Sequence, residues 1–369
     1  LARPSPFFLA HPLEDEPSSL GVLDAWQVEW KWDGIRAQIV RRRDTVAIWS
    51  RGEELVDGSF PEIRDAAQLL PVGTVLDGEI LALDRARDGR IEGAPAVRSF
   101  SELQRRLNRS SPGPGILAEV PVGFLAYDAL EIGGRDVREA STRERRMYLS
   151  EVLDQVSRGP AAAVLHLAPA VQVGSWEEAA AARDRARELG VEGLMLKDAA
   201  APYGVGRQWG AWWKWKVEPL VLDAVMVYAQ AGRGRRATLH TDYTFAVWDG
   251  DELVPIAKAY SGLGDAEIRE VDRWIRAHTV ERFGPVRSVE PELVFELAFD
   301  SIRRSSRHAS GVALRFPRIA RWRRDKPVGE ADTLDTTTAL LRVADPGGVG
   351  ESAGPRVEVL SLFDEAEGP

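Results

Sequence analysis

Two short stretches of the chain alternate tryptophan with charged residues. Trp212-Trp213-Lys214-Trp215-Lys216 places two lysines two residues apart, and Glu29-Trp30-Lys31-Trp32 places a carboxylate and a lysine at the same spacing. Successive side chains of a β-strand point to opposite faces, so the charged groups share one face and tryptophans on the other can anchor the strand in a core. The pattern predicts two strands, each packed on one face and charged on the other, with Lys31 carried into a pocket.

Lysine is scarce in this chain. Of its 48 lysine and arginine residues only six are lysines: Lys31, Lys197, Lys214, Lys216, Lys258 and Lys326. A desolvated ammonium group can lose its proton and act as a nucleophile, whereas a guanidinium group cannot. Lys31 is therefore a candidate nucleophile; the alternative is a lysine in an ordinary salt bridge.

Two further segments combine an apolar strand pattern with charges. In residues 74–83, Asp77 and Glu79 stand two residues apart and so can point into one pocket; the alternative is an edge strand with solvated acids. In residues 191–198, Glu192 stands at the head of the strand and Lys197 near its end.

The pattern along the chain predicts an α+β protein of two domains and a tail. Residues 1–219 contain strands at 26–32, 35–41, 45–50, 74–83, 122–130, 191–198 and 212–216, and helices at 61–70 (capped near Ser59), 99–108, 142–156 (charged on its outer face) and 176–189. Residues 220–343 contain strands at 221–229, 236–248, 253–259, 292–299 and 311–316, with a helix at 265–279. Five strands with a helix between the third and fourth are typical of an OB-fold barrel. Residues 344–369 are rich in Gly, Pro and acids and predict a flexible acidic tail.

Composition excludes several classes of protein. The chain has no cysteine, which rules out disulfides, thiolate zinc sites and thiol catalysis, and its five histidines show no ligand spacing. No apolar run approaches membrane-spanning length and the N-terminus lacks a signal-peptide pattern, so we expect a soluble intracellular protein. The net charge is −9, yet residues 300–326 carry nine basic and two acidic side chains, whereas residues 327–369 carry two basic and nine acidic ones. Such a basic block can bind phosphates locally.

Taken in order, these motifs resemble those of the nucleotidyltransferases that attach a nucleotide to their own lysine, and most of all the ATP-dependent DNA ligases. Lys31-Trp32-Asp33-Gly34-Ile35-Arg36 resembles the K-x-D-G-x-R motif of that superfamily. The run from Arg315 to Pro327 resembles the ligase R-F-P-R-x-x-R-x-R-x-D-K motif, which capping guanylyltransferases generally lack. The resemblance covers roughly residues 5 to 342 and implies an adenylation domain of antiparallel sheets with flanking helices, followed by an OB-fold domain.

The resemblance assigns roles around a bound ATP. Lys31 would attack the α-phosphorus, with burial and nearby cations leaving a useful fraction of it neutral, and Glu29 would accept a hydrogen bond from the adenine amino group. Arg36 and Arg51 would hold ribose and phosphate oxygens, and Tyr127 would stack on the base, leaving Phe124 to the core. The family pattern places Mg²⁺ on Glu79 and Glu192, with Asp77 behind them. The cations that would surround the phosphates are Lys197, Arg207, Lys214 and Lys216.

The last motif and the barrel would serve later steps. The resemblance implies that the last motif orients pyrophosphate and then swings away so that the barrel can clamp DNA. Its residues are Arg315, Arg318, Arg321, Arg323, Asp325 and Lys326. Candidate contacts to DNA phosphates are Arg233, Arg235, Arg236 and Lys258, although ordinary solvated loop charge is an alternative for the three arginines.

The implied activity is sealing of nicks in double-stranded DNA by a monomer that uses ATP and Mg²⁺. Two alternatives remain from the residues alone: an RNA ligase or capping-type guanylyltransferase, and a catalytically silent DNA-binding module. NAD⁺-dependent ligases are disfavoured because their usual zinc finger needs cysteine. Larger ligases carry a helical DNA-binding domain before the first motif. We therefore expect either a compact ligase or, since the first residue is not methionine, a chain from which that domain has been removed.

Overall fold

The computed structural model describes residues 2–107, 109–156, 159–232 and 238–344, with side chains of the last segment described to residue 341. The chain divides into two compact units, Leu1–Val217 and Glu218–Pro369. Three of the candidate DNA contacts (Arg233, Arg235 and Arg236) and the acidic tail lie outside the described residues.

The first unit contains twelve strands and six α-helices within its described residues. Its strands are β1 (Phe8–Leu9), β2 (His11–Pro12), β3 (Trp26–Lys31), β4 (Ile35–Arg41), β5 (Val46–Ser50), β6 (Thr74–Ala82), β7 (Val122–Ile132), β8 (Arg135–Asp136), β9 (Leu165–Leu167), β10 (Gly193–Asp198), β11 (Gly206–Arg207) and β12 (Trp212–Lys216). Its helices are α1 (Pro61–Ala67), α2 (Phe100–Leu107), α3 (Pro114–Glu119), α4 (Thr142–Val156), α5 (Trp176–Asp184) and α6 (Ala186–Leu189).

Two sheets organise the first unit. One is four-stranded, in the order β2-β12-β10-β3; the other follows the order β5-β4-β6-β7-β8, with β9 paired to β7. The predicted tryptophan face is confirmed, since Trp213 and Trp215 are buried in one cluster with Val28, Leu194 and Leu196. The sheet can present its lysines on the opposite face because this apolar cluster anchors the strands.

The larger sheet packs against helices on one side. Its strands bury Phe124 together with residues of α1, α2 and α4 in one hydrophobic cluster, so the expectation that Phe124 belongs to the core is confirmed. This packing leaves the Glu79 carboxylate of β6 near the other sheet's charged face, as the electrostatic influence of Lys31 and Glu192 on Glu79 indicates.

Three helix predictions need correction. The first helix begins at Pro61 without a side-chain cap, and the Ser59 hydroxyl donates instead to the Leu107 carbonyl. The predicted helix over 176–189 is two helices, broken at Arg185. Helix α4 does not keep all its charges outside, because Arg145 is fully buried against Asp128 of β7.

The second unit is built on one large antiparallel sheet. Its elements are β13 (Leu220–Ala231), β14 (His240–Asp249), β15 (Glu252–Ala259), α7 (Asp265–Ala277), β16 (Thr279–Phe283), β17 (Val286–Val289), β18 (Val294–Phe299), β19 (Ser301–Arg304), β20 (Val312–Arg315), β21 (Arg318–Trp322) and α8 (Leu334–Ala344). The sheet runs β15-β14-β13-β17-β16, with β18 paired to both β13 and β21. Helix α7 follows the third strand of this unit, β15, as predicted. The sequence reasoning missed β16, β17, β19 and β21, which are strands of four or five residues, and it also missed helix α8.

Among the helices that the structure describes, none combines the length and the apolarity that a bilayer span requires.

Candidate active site

The charged face of the four-stranded sheet brings three distant segments of the chain together. In the register of β3, β10 and β12, Lys31 and Lys216 both lie opposite Gly193, and Glu29 and Lys214 both lie opposite Met195. Gly193 has φ +138°, and a Cβ there would lie 2.3 Å from the Trp215 carbonyl oxygen. Only glycine fits between these two lysine-bearing strands at that point.

Glu192 joins the two lysines. Its Oε2 lies 2.5 Å from Lys31 Nζ and 3.1 Å from Lys216 Nζ. Burial acts to raise the pKa of Glu192, but the two ammonium groups outweigh it and hold that pKa below its usual value. Lys31 is 23% exposed and lies directly against the Glu192 carboxylate.

Glu79 faces the same group of charges from β6. Desolvation raises its pKa to about 8, with Glu192 and Asp77 adding to the rise while Lys31 and Arg36 oppose it. Gly34, the glycine after Lys31-Trp32-Asp33, explains the close approach, because a Cβ there would lie 2.3 Å from the Ile80 carbonyl oxygen and 2.8 Å from Glu79 Cγ. The Glu192 charge thus disfavours ionisation of Glu79, and two carboxylates in such a position are ligands suited to a hard divalent cation.

Glu29 and Lys197 form a buried ion pair. Lys197 Nζ lies 2.7 Å from Glu29 Oε2, with side-chain exposures of 1% and 3%. The ammonium group also lies over the Tyr127 and Trp212 rings, at 4.5 and 4.4 Å from their centroids. The structure thus places Lys197 beneath the candidate base-stacking ring instead of among the phosphate-facing cations. The Glu29 carboxylate meanwhile has Lys197 on one oxygen and the Gln27 amide on the other.

Arg36 is held by its own surroundings. Its Nε and Nη2 donate to the Asp77 carboxylate at 3.2 and 2.7 Å, and Nη1 donates to the Phe8 carbonyl at 2.7 Å. Its guanidinium also lies 5.9 Å from the centroid of the Tyr127 ring. Arg36 therefore sits beside the candidate base-stacking ring with its guanidinium held in one orientation by Asp77 and the Phe8 carbonyl.

The remaining phosphate-binding candidates are more open. Lys214 is half-buried, and its pKa is lowered by desolvation and by the neighbouring cations Lys216, Lys31 and Arg207. Arg207 is exposed on β11. Arg51 is also exposed; it follows β5, and its backbone N–H donates to the Arg36 carbonyl of the neighbouring strand β4 at 3.0 Å.

Sequence reasoning missed Tyr203 as a functional candidate. Its buried hydroxyl donates to Asp77 Oδ2 at 2.6 Å, and its ring packs edge-on against Phe8 and Trp212. The available signal was its position in the glycine-rich loop that also carries Arg207. The partner, however, is 126 residues away in the chain.

The last motif lies in the second unit, partly on β20 and β21, and most of its cations are paired there. Arg318 bonds to Asp300 and Arg321 to Glu296. Arg323 and Lys326 both lie 2.7 Å from Asp223 Oδ2, and Arg323 also forms a bidentate pair with Asp325. The side-chain hydrogen bond from Arg323 lowers the pKa of Asp325 to about 2. Arg315 stacks on the exposed ring of Phe316. Lys258 is exposed on β15.

Two protein families match the chain in succession. The family described as ATP dependent DNA ligase domain matches residues 8–216, and the one described as ATP dependent DNA ligase C terminal region matches residues 236–326.

Two probable DNA ligases from bacteria align with most of this chain. A probable DNA ligase of Koribacter versatilis is 40% identical over 360 residues, covering 93% of this chain and 61% of that protein. A probable DNA ligase of Opitutus terrae is 39% identical over 348 residues, covering 87% of this chain and 33% of that protein. The chain therefore spans between about a third and about three fifths of the length of these two relatives.

Solved structures support the fold. A structure from a structure-function analysis of Lig E DNA ligases has a TM-score of 0.60 at 18% identity and covers 86% of this chain and 99% of its own. A structure described as Pmar-Lig_Pre has a TM-score of 0.64 at 17% identity, covering 86% of this chain and 67% of its own. With the family matches, these confirm the predicted α+β class with an adenylation domain and an OB-fold domain.

Proposed function

The chain belongs to the family of ATP-dependent DNA ligases, and from that premise we propose that it seals 5′-phosphate/3′-hydroxyl nicks in duplex DNA through a nucleotide carried on Lys31. The observation that supports this most is the position of the Glu192 carboxylate, 2.5 Å from Lys31 Nζ and 3.1 Å from Lys216 Nζ. Glu79 lies close enough for the charges of Lys31 and Glu192 to influence its pKa. A nucleophilic amine, cations for phosphate oxygens and paired carboxylates are the parts that phosphoryl transfer needs.

In the first step, Lys31 Nζ attacks the α-phosphorus of ATP. A nitrogen–phosphorus bond forms, the bond to the β-phosphate oxygen breaks, and pyrophosphate leaves. Lys31 must give up a proton, and Glu192 Oε2, at 2.5 Å, lies within hydrogen-bonding reach to take it. Lys214 and Lys216 would offset the charge that builds up on the phosphate oxygens during displacement.

Glu79 and Glu192 are the residues that would hold Mg²⁺. They fit the ion because both are carboxylates, a donor type that Mg²⁺ prefers, and because the Glu192 charge helps to raise the pKa of Glu79, a repulsion that a bound cation would relieve. When bound, the ion supplies positive charge to the phosphate oxygens. The chain's own contribution is to keep both carboxylates next to the nucleophile.

The base pocket would be formed by Tyr127, Glu29 and Lys197. Tyr127 offers a stacking face that is backed by the Lys197 ammonium at 4.5 Å. Lys197 and Gln27 hold the Glu29 carboxylate in place, so that its remaining lone pairs can accept from an adenine amino group. A guanine would present a carbonyl oxygen at that point, and the two acceptors would repel. Arg36 and Arg51 would approach the ribose and phosphates from β4 and the turn after β5.

In the later steps AMP moves to the 5′-phosphate of a nick, and the adjacent 3′-hydroxyl then displaces the AMP and closes the strand.

We propose that residues 1–219 carry out nucleotide transfer and that the OB-fold residues 220–343 help to hold DNA. Lys258, Arg233, Arg235 and Arg236 would contact DNA phosphates. The last motif would act on pyrophosphate, for which Arg318, Arg321, Arg323 and Lys326 must exchange their present carboxylate partners for phosphate oxygens.

The test is transfer of label from α-labelled ATP, GTP and NAD⁺ to the protein with Mg²⁺, followed by sealing of nicked DNA and nicked RNA duplexes. We expect label from ATP alone, sealing of DNA, and no label in Lys31→Ala. Lys31→Arg keeps the positive charge beside Glu192 but lacks a nucleophilic amine, so it should also stay unlabelled while remaining folded. Label that persists in either variant would place the nucleophile elsewhere, and label from GTP would favour a guanylyltransferase.

A further inference from the structure

Tyr203 carries a hydroxyl group that its packing does not require. The ring is buried against Phe8 and Trp212, at centroid distances of 5.9 and 5.7 Å, both edge-on. A phenylalanine would make the same aromatic contacts. The buried hydroxyl, in contrast, must find polar partners or lose free energy.

The direction of the hydroxyl proton follows from its neighbours. The Phe8 backbone N–H donates to the Tyr203 oxygen at 3.3 Å, and Arg36 Nη2 lies at 3.4 Å as a second donor. Both groups can only donate, so the Tyr203 oxygen accepts from them. Its own proton is left to point at Asp77 Oδ2, 2.6 Å away.

Asp77 connects this hydroxyl to the candidate nucleotide pocket. The same Oδ2 accepts from Arg36 Nη2 at 2.7 Å, and Oδ1 accepts from Arg36 Nε at 3.2 Å. Asp77 is fully buried, so water does not compete for these bonds. Arg36 in turn lies across the Tyr127 ring and opposite Glu79 in the register of β4 and β6. Tyr203 thus fixes the rotamer of Asp77, and Asp77 fixes the plane of the Arg36 guanidinium.

We propose that Tyr203 is a positioning residue for nucleotide binding, which acts by holding Asp77 so that Arg36 is already in place when ATP enters. This inference rests on the proposed function. Its physical content is preorganisation: a guanidinium held in one orientation loses less rotational freedom on binding than a mobile one. The effect should therefore appear in ATP affinity more than in the rate of the chemical step.

The test compares Tyr203→Phe with Tyr243→Phe in the self-adenylation reaction. Tyr243 is a matched control, because it is also buried and its hydroxyl also donates one short bond, at 2.7 Å to the His240 carbonyl, in the second unit. For Tyr203→Phe we expect KM for ATP to rise about ten-fold, which corresponds to about 1.4 kcal/mol, with kcat changed less than about two-fold. Tyr243→Phe should leave KM unchanged even if both variants lose similar thermal stability.

A double-variant cycle shows whether the effect passes through Arg36. Arg36→Lys keeps the positive charge beside Asp77 but cannot present the two-pronged fork. On that background Tyr203→Phe should raise KM by less than about two-fold, because the geometry it protects is already lost. The proposal would be overturned if KM were unchanged in Tyr203→Phe, or if Tyr203→Phe raised KM by the same factor in the Arg36→Lys background as in the wild type. Either result would leave the proposed function standing as long as the wild type takes label from ATP. A wild-type protein that takes no label from ATP would instead remove the proposed function and this inference with it.

Discussion

The buried ion pair between Asp128 and Arg145 offers a quantitative test of what holds the first unit together. Arg145 Nε and Nη2 donate to the two Asp128 oxygens at 2.7 and 3.1 Å, and the side chains are 0% and 2% exposed. Arg145 Nη1 also donates to the carbonyls of Ala140 and Ala201, so the guanidinium ties helix α4 to β7 and to the loop that leads to Tyr203. We predict that Asp128→Asn destabilises the first unit strongly although it changes almost no volume.

The magnitude follows from what each group loses. Asp128→Asn removes the negative charge and turns an amide N–H₂ toward the Arg145 donors, leaving a buried guanidinium without a counter-charge. Breaking one side of such a pair costs about 3–5 kcal/mol. For a unit of this size, 1 kcal/mol lowers Tm by about 2–4 °C, so the transition should shift by about 6–20 °C.

Removing both charges should cost much less. In the double variant Asp128→Leu/Arg145→Met neither charge is buried alone. The Ala201 carbonyl keeps bonds from the Thr142 N–H and hydroxyl, and Ala140 is only partly buried, so water can reach it. We expect the double variant to lie within about 2 kcal/mol of the wild type.

Differential scanning calorimetry of the wild type, Asp128→Asn and the double variant provides the measurement. A loss below about 1 kcal/mol in Asp128→Asn would refute the reasoning, since it would mean that the pair is hydrated or that its charge is not needed. A double variant as unstable as the single variant would also refute it, because packing and not charge would then dominate.

Three further predictions concern the charged groups of the two units. Glu192→Gln should lower the rate of self-adenylation by at least about 10²-fold, because the charge that positions Lys31 is lost. ATP binding measured without Mg²⁺ should persist, and equal losses in adenylation rate and in ATP binding would contradict this prediction. Folded Glu79 keeps its proton to about pH 8, whereas the unfolded chain loses it near pH 4.5, so the wild type should lose stability as the pH rises between these values. Without Mg²⁺, Glu79→Gln should therefore gain in free energy of unfolding relative to the wild type from pH 4.5 to 8, and a constant difference in denaturant titrations would contradict that sign. Asp223→Asn should free Lys326 and lower the Tm of the second unit by calorimetry, with an unchanged Tm showing that the pair is not structural.

Much of the fold was accessible from local pattern. The alternation in Trp212–Lys216 and the apolar run of residues 74–83 predicted strands because side chains two residues apart must share a face. The structure has β12 and β6 at those positions. Short polar strands such as β19 and β21 carry no such alternation, so their formation depends on the neighbour they pair with. The break between α5 and α6 likewise had no local signal, because Arg185 is a good helix former.

The sequence by itself determined which chemical groups the candidate site has. The lysines, carboxylates and glycines stand in motifs with strand spacing, and this spacing puts them on one strand face however the strands pack. Only the tertiary structure decided which charge meets which: Glu192 pairs with Lys31, Lys197 turns inward to Glu29, and the hydroxyl of Tyr203 bonds to Asp77. These partners are separated by 126 to 168 residues. Strand register and burial decide which of them meet, and neither register nor burial can be predicted from the local sequence pattern.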